Sequence, residues 1–247
     1  MKQKKTPIFV SICGPICAGK STHMKRVVDM VQQHEFVLPQ NIKIVTMPED
    51  ISLWTNDHGH DWLDSFYKDK ERWALSFQMF ILDWEQKLHE QMIEKYSNDS
   101  GVQYVVLTER CPIDGRYIFM ESLHPQSVND AELQLYDRLY RRISWTPDYV
   151  VHLTCSVEKT EKRNRQRKRE AEKDISTEYF RSLKERYDSF FRRADHFPRE
   201  KVIDVKNEGD GNDIVTENAH RILTFIQDNI IIGTNCDQQT DRNCIIA

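Results

Sequence analysis

Residues 7–22, PIFVSICGPICAGKST, constrain what this chain can fold into more than any other stretch. An apolar, β-branched run (Ile8, Phe9, Val10, Ile12) breaks into Gly14-Pro15-Ile16-Cys17-Ala18-Gly19-Lys20-Ser21. This matches G-x-x-x-x-G-K-[ST] at every fixed position. Gly14 and Gly19 let the backbone turn tightly enough for successive N–H groups to face a polyphosphate. A helix starting near Lys20 adds the positive end of its dipole. Lys20 then reaches the transferable phosphates, and the Ser21 hydroxyl is placed to ligate Mg²⁺. The loop needs a strand before it and a helix after it, and both are predicted here.

The rest of the chain continues that pattern. A helix over residues 21–35 carries Met24, Val27, Val28 and Val31 on one face. Short β-rich runs follow at 42–46, 104–108, 149–153 and 201–205, separated by helical patterns at 62–96, 131–144 and 177–194. Apolar strands alternating with helices predict an α/β fold, a parallel sheet covered on both faces. A closing helix is expected to end near Ile232. Residues 1–232 then form one domain, and the polar residues 233–247 a disordered tail.

Composition removes other classes. A net charge of −4 gives no general attraction to nucleic acid or to an anionic membrane. The six cysteines contain no C-x-x-C pair, which argues against zinc or a redox dithiol and for a reducing compartment, the cytoplasm. The basic start followed by apolar residues mimics a signal peptide, but Ser11, Gly14 and Pro15 interrupt the run. No apolar stretch reaches membrane-spanning length. The last four residues, Cys244-Ile245-Ile246-Ala247, read as a weak C-a-a-X prenylation signal with no polybasic support.

Charged residues at strand ends are the remaining candidates, because open parallel sheets collect ligands there. Glu49 follows the second strand and is placed to take a proton from a hydroxyl attacking the γ-phosphate. Glu109 and Arg110 close the third strand, the first near a metal and the second near phosphates. Arg163, Arg167 and Arg169 lie in a dense basic run, with Glu170 and Glu172 interleaved or following. Interleaved acids suit a lid over ATP better than a nucleic-acid surface. No D-x-x-G or N-K-x-D occurs, so guanine-nucleotide switching is excluded.

Four motifs together resemble the deoxyribonucleoside kinases. They are EDISLW at 49–54, LDSFYKDKERWALSFQ at 63–78, ERC at 109–111 with RYIF at 116–119, and the Arg163–Arg169 run with Glu172. The resemblance spans about residues 8–205. It implies a P-loop kinase fold: a five-stranded parallel sheet flanked by helices, with an Arg-rich lid. ATP would be the donor, with Mg²⁺ held by Ser21 and Glu109. Residues 14–22 (Gly14, Pro15, Ile16, Cys17, Ala18, Gly19, Lys20, Ser21, Thr22), Arg163, Arg167, Arg169 and Asp204 would bind the cofactor. Glu49 would be the base on the 5′-hydroxyl, assisted by Arg110. Trp54 and Phe119 would wall the sugar and base, with Leu63 and Phe77 beside them. Gln78 would pair with the base edge, and Tyr67 and Glu172 would hold the 3′-hydroxyl. Family members also suggest a homodimer and feedback by a deoxynucleoside triphosphate.

The chain departs from that pattern at four positions. Asp50 replaces a proline, Cys111 a serine, and Gly115 and Glu85 stand where the base-reading pair would be. Gly115 is expected to leave space for a thymine methyl. Glu85 is expected to turn toward solvent, since a buried unpaired carboxylate is costly. Pyrimidine preference with thymidine accepted follows. The alternatives are a thymidylate-type nucleoside monophosphate kinase and a nucleic-acid-binding P-loop ATPase.

Overall fold

The computed structural model describes residues 5–99, 101–193, 197–209 and 211–240, with side chains as far as residue 230. Five strands form one parallel sheet in the order β2-β3-β1-β4-β5. They are β1 (Ile8–Cys13), β2 (Ile42–Met47), β3 (Gln103–Glu109), β4 (Tyr149–Thr154) and β5 (Val202–Lys206). The helices are α1 (Lys20–Gln32), α2 (Ile51–Thr55), α3 (Trp62–Lys68), α4 (Lys70–Tyr96), α5 (Glu121–Leu123), α6 (Asp130–Ile143), α7 (Val157–Arg167), α8 (Thr177–Arg192) and α9 (Asn212–Thr240). A π-helical segment, Asp114–Met120, runs directly into α5.

Side chains alternate across each strand, so β1 feeds two separate cores. Val10 and Ile12 pack with Val27, Ile222 and Leu223 of α1 and α9. Phe9 and Cys13 face the other way, onto Phe180, Leu183, Tyr187 and Phe191 of α8. Burial on both faces is why these strands are nearly continuous apolar runs. A third cluster lies beyond the sheet and contains Trp54, Leu63, Phe66, Phe77, Met120 and Tyr136. It is built almost entirely from helices, with Val128 added from the connection between α5 and α6.

The helical pattern at 62–96 is two helices. Asp69 leaves helical geometry at φ −148°, and its carboxylate accepts the Arg72 N–H at 3.0 Å, capping α4. Asp61 caps α3 in the same way, and Asp50 caps α2, which accounts for Asp50 in place of proline. The sequence marked no element at 112–123, where the π-helical segment and α5 stand. α9 runs on to Thr240, past the expected end at Ile232 and through the start of the expected disordered tail. No proline interrupts that polar extension, and one interior glycine costs only about 1 kcal/mol. Residues 241–247, with the prenylation signal at Cys244, lie outside the described residues. Among the described residues no helix is long and apolar enough to cross a membrane.

Leu107, on β3, is completely buried in the core that faces α1 and α9. Leu107→Ala is expected to lower the unfolding free energy by about 2–5 kcal/mol. Urea unfolding of variant and wild type measures it, and a loss under about 1 kcal/mol contradicts that packing.

Candidate active site

One cavity of about 430 Å³ opens at the carboxyl ends of β1, β2 and β3. At one end stands the loop between β1 and α1. Gly14 passes so close to β4 that a Cβ there would lie 2.3 Å from the Leu153 carbonyl oxygen. Gly19 sits at φ +99°, against the Asn207 side chain. Lys20 Nζ donates to the Gly14 and Pro15 carbonyls at 3.2 and 3.0 Å and lies 3.9 Å from Glu109. Burial, then Arg110, lowers the lysine's pKa, against Glu109, Glu49 and Asp114. Ile16, Cys17, Ser21 and Thr22 line the same end, while Pro15 and Ala18 contribute through the backbone.

Arg110 occupies the left-handed region at φ +67°, unusual for a side chain with a Cβ. Its N–H donates to the Ile12 carbonyl at 3.1 Å, and its carbonyl accepts the Thr108 hydroxyl at 2.8 Å. The reversed backbone brings its guanidinium into an ion pair with Glu49 and over the Phe119 ring, 5.1 Å from the centroid. The two strand-end carboxylates are thereby separated: Glu49 faces Arg110, and Glu109 faces Lys20.

The basic run lines the cavity's other flank. Arg163 donates to the carbonyls of Ala18, Asn207 and Gly209, tying α7 to the loop. α7 ends at Lys168, itself left-handed at φ 53°. Arg169 donates to Glu172 Oε1 at 2.7 Å, leaving the buried Oε2 without a hydrogen bond. Arg167 lies 3.9 Å from that Oε2. Tyr67 also faces this flank. Burial, then Tyr179 and Glu172, pushes its hydroxyl pKa well up.

The far end is aromatic with a few polar atoms. Trp54 and Phe77 meet edge to face at 5.7 Å, and Phe66 packs on Phe77 at 5.1 Å. Leu63 and Phe119 close the wall. Gln78, Ile81 and Glu85 project from one face of α4, spaced near its turn length. Gln78 Oε1 is buried without a partner.

Two expectations about this end are corrected. Glu85 does not turn to solvent: it is 6% exposed and lines the cavity, with Oε2 unpartnered. Burial raises its carboxyl pKa well above the usual range, with Asp114 and Glu49 adding and Arg110 opposing. Gly115 does not leave a free void either. The Tyr136 hydroxyl lies 2.9 Å from where a Cβ would stand, so α6 supplies the group that fills this space.

Asp204 does not reach the cavity. It pairs on β5 with His152 and Arg199, and the His152 bond leads in lowering its carboxyl pKa to about 2. Sequence reasoning missed Asp114, Tyr179, Ile51, Phe66 and Ile81, which also line the cavity. Asn207 was missed too; its amide donates to the Ala18 carbonyl at 2.7 Å. Ile51 and Phe66 carried a signal, since they fall inside the motifs at 49–54 and 63–78.

Ser21 and Glu109 both line the cavity, offering a hydroxyl and a carboxylate. Such hard oxygen donors suit Mg²⁺. A separate group, Cys13, Cys111 and Asp114, is thiol-rich and buried. Its carboxylate is already taken by the Tyr187 hydroxyl and the Cys111 N–H.

The chain is similar to several known proteins. The family model for deoxynucleoside kinase matches residues 10–227. Human mitochondrial thymidine kinase 2 is 27% identical over 233 residues, covering 90% of this chain and 80% of that protein. Two solved structures of deoxyadenosine kinase from M. mycoides share the fold. One, with products dCMP and a flexible dCDP bound, has a TM-score of 0.69 at 19% identity, over 90% of this chain and 100% of that one. The other, with bound dCTP, has a TM-score of 0.65 at 17% identity, over 88% and 100%.

Glu85 also sets a stability expectation. Its folded pKa lies above the unfolded value, so the native state binds the proton more strongly and stability falls as pH rises between the two. Glu85→Gln removes this titration. The variant's Tm advantage over wild type is expected to be larger at pH 8 than at pH 5. Thermal melts at both values test it, and equal differences contradict it.

Proposed function

The chain belongs to the deoxynucleoside kinase family, and from that premise we propose that it transfers the γ-phosphoryl group of ATP to the 5′-hydroxyl of a deoxyribonucleoside. Pyrimidine nucleosides are preferred and thymidine is accepted. The observation that carries the reading is a single cavity with a phosphate loop at one end and an aromatic, amide-bearing pocket at the other, joined by the Glu49–Arg110 pair. Phosphoryl transfer depends mainly on positioning and charge neutralisation, and this cavity offers both.

Glu49 accepts the 5′-hydroxyl proton, with Arg110 holding its carboxylate in place. Lys20, Arg163 and Arg167 bind donor phosphates, and Arg169 steadies the lid through Glu172. Tyr67 and the free Glu172 oxygen take the 3′-hydroxyl. Trp54, Phe77 and Phe119 hold the sugar and base, and the Gln78 amide offers a donor and an acceptor to a pyrimidine edge. Mg²⁺, held by Ser21 and Glu109, supplies charge neutralisation on the phosphates when bound. Thymidine acceptance draws further support from the name of the human relative.

The other readings fit less well. A monophosphate kinase needs free cations at the acceptor end, where Arg110 is paired with Glu49 and Arg169 with Glu172. Nucleic-acid binding needs an outward basic surface, whereas Arg163, Arg167 and Arg169 line the cavity. A cytoplasmic location and a homodimer complete the proposal, from cysteine usage and the family resemblance.

ADP release with each deoxynucleoside, each monophosphate and single-stranded DNA separates the three activities. Turnover is expected with deoxynucleosides alone. Glu49→Gln is expected to lower kcat about 10²–10⁴-fold with nucleoside binding largely kept. Retained turnover removes Glu49 from the role of base. The triphosphate of the preferred nucleoside spans both ends of the cavity, so it is expected to inhibit competitively against both substrates. Inhibition no stronger than by a mismatched triphosphate contradicts that feedback.

A further inference from the structure

Phosphoryl transfer leaves Glu85, on the cavity wall, without a task. Glu85 lies two helical turns beyond Gln78 on the same face of α4, lines the cavity, and is 6% exposed. Its Oε2 has no hydrogen-bond partner, and neither does Gln78 Oε1. A polar atom buried this way costs about 1–3 kcal/mol unless something satisfies it. Both residues line a cavity able to admit a ligand.

The surrounding groups decide the state of this carboxyl. Asp114, from the π-helical segment, has its own carboxylate bonded to the Tyr187 hydroxyl and the Cys111 N–H. Glu49, after β2, is paired with Arg110, after β3. Cys111 and, from α6, Tyr136 and Tyr140 complete the titratable neighbours. Two carboxylates are close, and the nearby cation is already engaged. Burial leads in favouring the protonated carboxyl, Asp114 and Glu49 add to it, and Arg110 opposes it. A neutral carboxylic acid has an O–H to donate, which a carboxylate lacks.

We propose that Glu85 is a specificity-determining residue whose neutral carboxyl donates its O–H to an exocyclic carbonyl of the nucleobase. Uracil and thymine carry such a carbonyl at C4, where cytosine carries an amino group. Gln78 accepts either edge after an amide flip, so it cannot discriminate alone. Glu85 supplies the choice. This replaces the Gly115 void as the physical basis for accepting thymidine, since the Tyr136 hydroxyl occupies that space. The inference rests on the nucleoside-kinase reading above and goes beyond it by naming the group that reads the base.

The test crosses residue with substrate atom. kcat/KM is measured for deoxyuridine, deoxycytidine and the pyrimidin-2-one deoxynucleoside lacking a C4 substituent, in wild type, Glu85→Gln and Glu85→Leu. Deoxyuridine avoids any contribution from the methyl group. The preference for deoxyuridine over the unsubstituted analogue is expected to fall about tenfold in Glu85→Leu and to persist in Glu85→Gln, which keeps a donor. An infrared difference spectrum on deoxyuridine binding is expected to show a shifted protonated-carboxyl band in wild type that Glu85→Gln removes. This second measurement decides the matter if a variant fails to fold. An unchanged preference in Glu85→Leu, or a missing band, overturns the proposal while leaving the kinase reading intact. A shift toward deoxyuridine in Glu85→Leu overturns it too, marking an ionised acceptor instead. Wild-type protein that phosphorylates no deoxynucleoside overturns both readings.

Discussion

The backbone reversal at Arg110 is the constraint from which the site's geometry follows. A non-glycine residue in the left-handed region costs roughly 1–3 kcal/mol, and it persists only where surrounding bonds over-determine it. Here the Ile12 carbonyl and the Thr108 hydroxyl hold both sides of the residue, and both belong to the two central strands. The reversal sends the guanidinium to Glu49 while Glu109, one residue earlier, stays beside Lys20. Two carboxylates at neighbouring strand ends thereby acquire different partners and different chemistry. Glu109 is the last residue of β3, and Glu49 stands two residues beyond the end of β2, its paired neighbour.

The cavity also concentrates polar atoms whose hydrogen bonds the protein leaves unmade. Gln78 Oε1, Glu85 Oε2, Glu172 Oε2 and Arg110 Nε are all buried without partners. Native interiors rarely leave such groups unpaired, and these four belong to residues that line one cavity. The three acids and amides also reach the cavity from different directions. Gln78 and Glu85 come from α4, while Glu172 follows α7.

Much of the fold was legible because its signals are local. Five β-branched runs, each between helical patterns, became five parallel strands with boundaries shifted by a residue or so. The phosphate loop was legible because Gly14 and Gly19 answer steric demands that the chain carries in its own spacing. Less legible were breaks without a strong breaker. Asp69 splits a helical pattern through one capping bond, and the π-helical segment at 114–120 has no periodicity of its own. The end of α9 was missed because polar composition says little about a helix that meets no proline.

The sequence by itself determined the parallel α/β architecture and the phosphate loop, because periodicity and motif spacing encode them within short stretches; most other cavity residues were implied by the resemblance of its motifs to the deoxyribonucleoside kinases. Tertiary structure alone decided three things. Asp204 is drawn away to His152 and Arg199, because β4 and β5 are neighbours in the sheet. The space at Gly115 is filled by Tyr136, a residue 21 positions later on a helix packed across the gap. Glu85 stays inside the cavity rather than turning out. Solvation would have drawn an isolated carboxylate to water, but α4 fixes the direction of its side chain, and burial among other acids favours keeping its proton. Charge state and long-range packing are properties of the assembled core, and no local pattern in the chain encodes them.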